Sequence, residues 1–230
     1  MKLKPQCIPC IFKARAREIL TSNLSENEKI IALSSLMKVL AENTSLTQST
    51  IILATIGFRY VKTILGNDDP YKEYKDASNK IALELYNNLK GKLERLPLYE
   101  KIRILMRASI NANILDPGAP PFNHIPHIKP EQLLKELKID ETDKIIAEVE
   151  KADKVIYILD NAGEAIFDLA LLKELTKINE DIIVMARGKP YQNDITVDEA
   201  RKLGFGKYAV ILDSGKDFAG FNVKEMSEQA

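Results

Sequence analysis

The spacing of apolar residues changes period near residue 154, and this change constrains the fold more than any other feature of the chain. From Ile11 to Arg107 apolar side chains recur every three or four residues, over Ile11–Leu20, Glu28–Leu40, Thr50–Leu65, Tyr71–Leu89 and Leu98–Ala108. That period predicts amphipathic helices arranged as a bundle. Polar breaks at Ser22-Asn23, Asn43-Thr44 and Asn67-Asp68-Asp69-Pro70 separate them, the last with Pro close to a helix start. Asp116–Pro130 holds five of the ten prolines and reads as the loop between the halves. Helices are expected over Pro130–Leu137 and Asp143–Lys151. Short apolar runs then alternate with amphipathic segments: strand Lys154–Leu159, helix Glu164–Lys177, strand Asp181–Ala186, helix Thr196–Leu203 and strand Tyr208–Leu212. Such alternation predicts βαβ units and a parallel sheet. The expected division is a mainly helical part, 1–150, and an α/β part, 151–230.

Composition narrows the functional classes. With 230 residues, 45% of them hydrophobic, the chain can bury a substantial core. Lys plus Arg and Asp plus Glu both number 33, and no basic stripe interleaves with aromatics, so nucleic acid is not expected as a partner. The longest apolar stretches, such as Ile51–Phe58, fall short of the roughly 20 residues that span a bilayer. MKLKPQC has no apolar h-region behind its lysines. A soluble, cytoplasmic protein without membrane contact is expected. Cys7 and Cys10 form a single C-x-x-C, too few thiols to staple a secreted scaffold, and zinc would need His124 and His127 as further ligands. Three readings stay open for the pair: small buried residues at a helix start, a redox couple, or half of a metal site.

The chemistry-bearing residues fall behind the strands. Asp160-Asn161 follows the first, Arg187 to Thr196 the second, and Asp213-Ser214-Gly215 the third. In an open parallel sheet these positions face the crevice outside the carboxyl ends of the strands. Asp160, the Asn161 carbonyl and Asp194 are hard oxygen donors suited to Mg²⁺ or Mn²⁺, and Ni²⁺ or Co²⁺ accept the same set. The competing reading is helix capping, through Asn161-x-x-Glu164 and Thr196-x-x-Glu199. Arg187-Gly188 offers a guanidinium and a close backbone approach to phosphate. Ser214-Gly215 adds a hydroxyl and N–H groups. Lys75 and Asn79 share one helical face, and Asn113 with Asp116-Pro117-Gly118 ends another helix.

Taken in order, Cys7-x-x-Cys10, Asp69–Asn79, Asn113–Gly118, Asp160–Glu164, Arg187–Thr196 and Ser214-Gly215 resemble the metal-dependent damage-control phosphatases, formerly domain of unknown function 89, in the archaeal and bacterial subfamily with an N-terminal C-x-x-C. The resemblance covers nearly the whole chain. It implies an α/β fold in which a helical N-terminal bundle packs on a three-layer α/β/α sandwich with a mostly parallel sheet. It also implies a divalent metal on Asp160, Asn161 and Asp194, and hydrolysis of small phosphorylated metabolites such as damaged nucleotides or sugar phosphates. Asn79, Asn113, Asp116, Arg187, Asn193, Ser214 and Gly215 would contact substrate or phosphate, with Glu164 a candidate for proton transfer. Three departures accompany it. Asn111-Ala112 replaces the usual small residue and Gly before Asn113, and Asp213 matches no role. The family also continues past the segment matching Phe218–Ala230 into a further strand and a lysine-bearing loop, so the α/β part is expected to be incomplete at its C-terminal side.

The sequence therefore predicts a metal-dependent phosphomonoester hydrolase, with a non-catalytic nucleotide- or metabolite-binding module as the alternative. A haloacid-dehalogenase-type mechanism needs Asp-x-Asp after the first strand, where Ala162 stands. A methyltransferase is disfavoured because no Gly-rich turn follows that strand.

Overall fold

The computed structural model describes residues 2–116, 128–220 and 226–228. Helices α1 (Cys7–Leu20), α2 (Glu26–Glu42) and α3 (Thr50–Leu65) come first. Ser25 starts α2 through a reciprocal capping box with Glu28. Gly66, in the left-handed region at φ 58°, ends α3. These three helices close around Ile19, Leu36, Leu40, Leu53 and Val61, a small core of their own.

Helices α4 (Lys72–Leu93) and α5 (Leu98–Ala112) belong to the second, larger core. There Ala82, Leu85 and Leu89 of α4 and Ile102, Leu105 and Ala108 of α5 bury together with residues of the α/β part. The core that covers the sheet is thus drawn from both sides of residue 150. A short 3₁₀ turn, Asn113–Leu115, follows α5. Helix α6 covers only Pro130–Leu133, where the sequence predicts continuation to Leu137. The Asn111 amide explains the early stop: its Nδ2 donates to the carbonyls of Leu133 and Lys135, each at 2.9 Å, and so draws this backbone away from helical pairing. Pro117–His127, which include Gly118, His124 and His127, lie outside the described residues.

After α7 (Thr142–Lys151) the chain alternates β1 (Val155–Ile158), α8 (Glu164–Leu175), β2 (Ile182–Ala186), α9 (Val197–Leu203) and β3 (Val210–Asp213). The strands lie parallel in the order β1-β2-β3, with Val155 opposite Ile182 and Ile183 opposite Val210. The fold is therefore α/β, as predicted. Successive right-handed crossovers in one direction place α8 and α9 on the same face. That face presents Val155, Tyr157, Ile182, Val184, Ala186 and Ile211, all within the larger core. On the opposite face Ile156, Ile158 and Val210 are 57%, 53% and 64% exposed. Of the expected sandwich, the described residues contain the sheet and the helical layer on the first face. Among them, no helix is long and apolar enough to cross a membrane.

Candidate functional site at the carboxyl ends of the strands

The loops leaving β1 and β2 are joined by backbone before any side chain is considered. Asn161 and Asp194 form an antiparallel bridge, the Ile195 N–H donates to the Asp160 carbonyl at 2.8 Å, and the Ala162 N–H donates to the Asn193 carbonyl at 2.9 Å. A second bridge joins Arg187 to Thr196. Asp160, Asn161 and Asp194, predicted as ligands from separate loops, are thereby fixed as neighbours.

Two glycines permit this approach. Gly163 has φ 86°, and a Cβ there would sit 2.7 Å from Leu115 Cδ1, so both the backbone conformation and the space require glycine. Its N–H donates to Asn79 Oδ1 at 2.7 Å, so Asn79 of α4 holds the turn that follows the metal-ligand candidates. A Cβ on Gly188 would run into the Gly215 carbonyl oxygen, so the loops after β2 and β3 touch through backbone.

The cap interpretation divides. Thr196 caps α9 in a capping box with Glu199. Asn161 does not cap α8: the N-cap position is Gly163, without a side-chain bond, and Asn161 Nδ2 instead donates to Asp160 Oδ2 at 2.9 Å. This orientation turns the Asn161 carbonyl oxygen away from Asp160 and leaves it available as a donor to another centre.

Electrostatics mark the same residues. Burial pushes the Asp194 carboxyl up to about 6, partly offset by the Arg187 guanidinium and reinforced by Asp160 and Asp116. Burial also raises Asp160, again opposed by Arg187 and assisted by Asp116. Three acidic side chains thus repel one another in a poorly solvated crevice, and a multivalent cation relieves that repulsion. The donors are all oxygen, which fits a hard divalent ion. Nearby, the buried Asn193 amide Nδ2 has no hydrogen-bond partner among the described residues. Among these residues no three His, Cys, Asp or Glu side chains converge as metal ligands; the candidate set is two carboxylates and one amide.

Several predicted phosphate contacts are otherwise engaged. Arg187 Nε binds Asp194 Oδ2 at 2.7 Å, and Nη1 donates to the Gly220 carbonyl at 2.8 Å. The Gly215 N–H donates to Asp213 Oδ1 at 2.6 Å, which supplies Asp213 with the role the sequence left open. Ser214 is buried, its N–H on the Ala186 carbonyl. Lys75 is fully buried, with Nζ 2.7 Å from Asp69 and 2.8 Å from Glu199, and so ties α4 to the α9 capping box rather than facing substrate. Asn113 Nδ2 donates to Glu164 Oε2 at 3.2 Å, and Asp116 lies half-buried on the same side of the crevice.

Sequence reasoning misses a carboxylate behind Glu164. Asp168 is wholly buried, and its Oδ1 accepts from Ser109 Oγ at 2.5 Å and Tyr157 OH at 2.7 Å. Burial lifts it to about 6, and burial together with Asp168 lifts Glu164 to about 8. The available signal is spacing: Glu164 and Asp168 are four apart on α8, as Ser109 and Asn113 are on the facing helical segment.

Comparison with known proteins agrees with this architecture. Residues 3–230 match the family model of the damage-control phosphatase ARMT1-like domain. The chain is 32% identical over 232 residues to an uncharacterised protein of Methanocaldococcus jannaschii, covering 100% of this chain and 76% of the relative. It is 30% identical over 236 residues to a damage-control phosphatase of Archaeoglobus fulgidus, covering 100% of this chain and 80% of that protein. The crystal structure of a DUF89 family protein from Pyrococcus horikoshii superimposes with a TM-score of 0.85 at 25% identity, covering 100% of this chain and 79% of that one. With these matches behind the strand-end geometry, the chain belongs to the damage-control phosphatase ARMT1-like domain family.

Proposed function

We propose that this protein is a divalent-metal-dependent phosphatase acting on small phosphorylated metabolites, with Asp160, Asn161 and Asp194 holding the ion. The observation that carries the reading is the backbone bridge between Asn161 and Asp194, which fixes two carboxylates and an amide oxygen at the ends of neighbouring strands. Relatives named damage-control phosphatases support the reaction class. When bound, a divalent ion such as Mn²⁺, Ni²⁺, Co²⁺ or Mg²⁺ supplies Lewis-acid polarisation of a phosphoryl oxygen and a lower pKa for water.

The chain's own residues supply position and charge balance, the main contributions in phosphoryl transfer. Arg187 keeps Asp194 in place and offsets the negative charge of the crevice. Asn79 holds the Gly163 turn, and Asn113 orients Glu164. Burial and the neighbouring Asp168 carboxyl raise Glu164 above the usual carboxylate range, which suits it to hold a proton and donate it to a departing alkoxide. Asn193, whose buried amide has no partner among the described residues, would face the phosphate, with Ser214 and Gly215 shaping the loop beside it.

The engagement of Arg187 and Lys75 by carboxylates favours one second reading, a metabolite-binding module without turnover. Phosphate release from p-nitrophenyl phosphate, measured with each of the four metals and after chelation, separates the two. Metal-dependent release that falls at least about a hundredfold in Asp194→Ala is expected. Release that is unaffected by chelation or by the substitution overturns the metal assignment, and tight phosphate binding without release establishes the module.

A further inference from the structure

Cys7 and Cys10 take no part in the crevice, yet their setting is more specific than that of two buried small residues. Both thiols are free, Cys7 half-buried and Cys10 exposed. Cys7 is the first residue of α1 and Cys10 lies one turn later on the same face, with Pro9 between them in the turn where a missing N–H is tolerated. Residues three apart on a helix are about 5–6 Å apart at Cβ, whereas a disulfide needs roughly 3.5–4.5 Å. Closing the bond therefore needs the first turn, where the Cys10 N–H donates to the Gln6 carbonyl at a long 3.4 Å, to tighten toward 3₁₀ geometry, which eclipses positions i and i+3.

The two thiols are not equivalent. The Thr50 hydroxyl lies 3.5 Å from Cys7 Sγ and 3.4 Å from the Lys2 carbonyl, and shares its proton between them. That hydroxyl, with the backbone and the Lys4 charge, holds the Cys7 thiol below its ordinary value. A more acidic thiol and partial exposure mark the attacking member of a pair. The segment is anchored, since Lys2 bridges Ser49 and the Leu3 N–H donates to the Gln48 carbonyl at 3.0 Å.

We propose that Cys7 and Cys10 form a reversible dithiol–disulfide site that exchanges with small-molecule disulfides, Cys7 attacking and Cys10 resolving. The Cys7 thiolate attacks one sulfur of R–S–S–R, forming Cys7–S–S–R and releasing RS⁻. The Cys10 thiolate then attacks Cys7 Sγ, releases the second RS⁻ and closes the Cys7–Cys10 bond. Two electrons pass from the pair to the small disulfide, and the two thiol protons leave on two RSH.

The test uses the whole chain with oxidised glutathione at pH 7.5, followed by intact mass and thiol alkylation. Wild type should become a single chain lighter by two hydrogens, and dithiothreitol should reverse the change. Cys10→Ser should stop as a chain carrying one glutathione on Cys7. Cys7→Ser should react at least about tenfold more slowly, and Thr50→Val should slow the first step about threefold. Disulfide-linked dimers, equal rates for the two serine variants, or zinc retained at one ion per two chains with both thiols unoxidised would each overturn the proposal. None of these readouts depends on phosphatase activity, so the site and the proposed reaction stand or fall separately.

Discussion

At the residue scale, Lys75 shows how a side chain that looks reserved for substrate can serve the scaffold. The sequence sets Lys75 on one helical face with Asn79, a residue expected at the substrate. In the fold Lys75 has no exposure and lies between Asp69 and Glu199, whose side chains remain 19% and 16% exposed. The carboxylate partner in the α9 capping box is invisible to sequence because it lies far along the chain. Removing one member of such a buried set leaves the others uncompensated and is expected to cost about 3 kcal/mol. Lys75→Met should therefore lower the urea midpoint by that loss divided by the m-value, about 1–3 M for m of about 1–3 kcal/mol/M. Adding Glu199→Gln, which keeps a capping residue, should restore about half. Unaltered stability in Lys75→Met would show that the ion pairs are not what holds α4 to α9. Asp160, Asn161 and Asp194 are legible by contrast, because strand-end position alone brings them to one crevice.

At the scale of elements, the helical period and the strand alternation locate nearly every segment, whereas the contacts that fix the Asp194 loop are not legible. Phe58 of α3 meets Tyr191 edge-on at 4.9 Å and Tyr71 at 6.1 Å. Tyr71 OH donates to Glu18 Oε1 at 2.5 Å, and the Arg15 guanidinium sits 4.9 Å from the Phe58 ring centre. Helices α1 and α3, with Tyr71 at the start of α4, thereby clamp the loop whose next residues are Gln192, at φ 46°, and then Asn193 and Asp194. No local pattern reveals this, since the partners come from three distant segments and each aromatic reads alone as ordinary core. Phe58→Ala is expected to lose about 3 kcal/mol of stability and, beyond that, to weaken the proposed divalent-metal binding by about tenfold. Phe58→Leu should recover most of the stability but less of the metal affinity. Calorimetric titration of metal into the folded variants decides whether the clamp positions Asp194; equal affinities in both variants and wild type would show that it only supports the fold.

At the scale of the whole molecule, the larger core covers one face of the sheet, and the interface between α5 and α8 carries a buried acid. The expected three-layer sandwich covers both faces of the sheet, yet among the described residues the helices cover one. On that covered side Asp168 faces Ser109, Tyr157 and Glu164, with Asp160 beyond. Its carboxyl stands at about 6 in the fold against an ordinary 3.8. Between those values the folded chain holds a proton that the unfolded chain has lost, so stability falls as pH rises through this window. Glu164, at about 8 against 4.5, extends the same trend upward. Asp168→Asn keeps an acceptor for both hydroxyls and removes the titration. The metal-free wild type should therefore lose stability relative to Asp168→Asn as pH is raised from 4 to about 6, with a smaller change above. Midpoints of thermal unfolding measured for both proteins across pH 4 to 8 supply the difference curve. A flat difference, or one rising with pH, would mean that Asp168 enters the fold already ionised and that its two hydroxyl donors suffice to keep the charge inside.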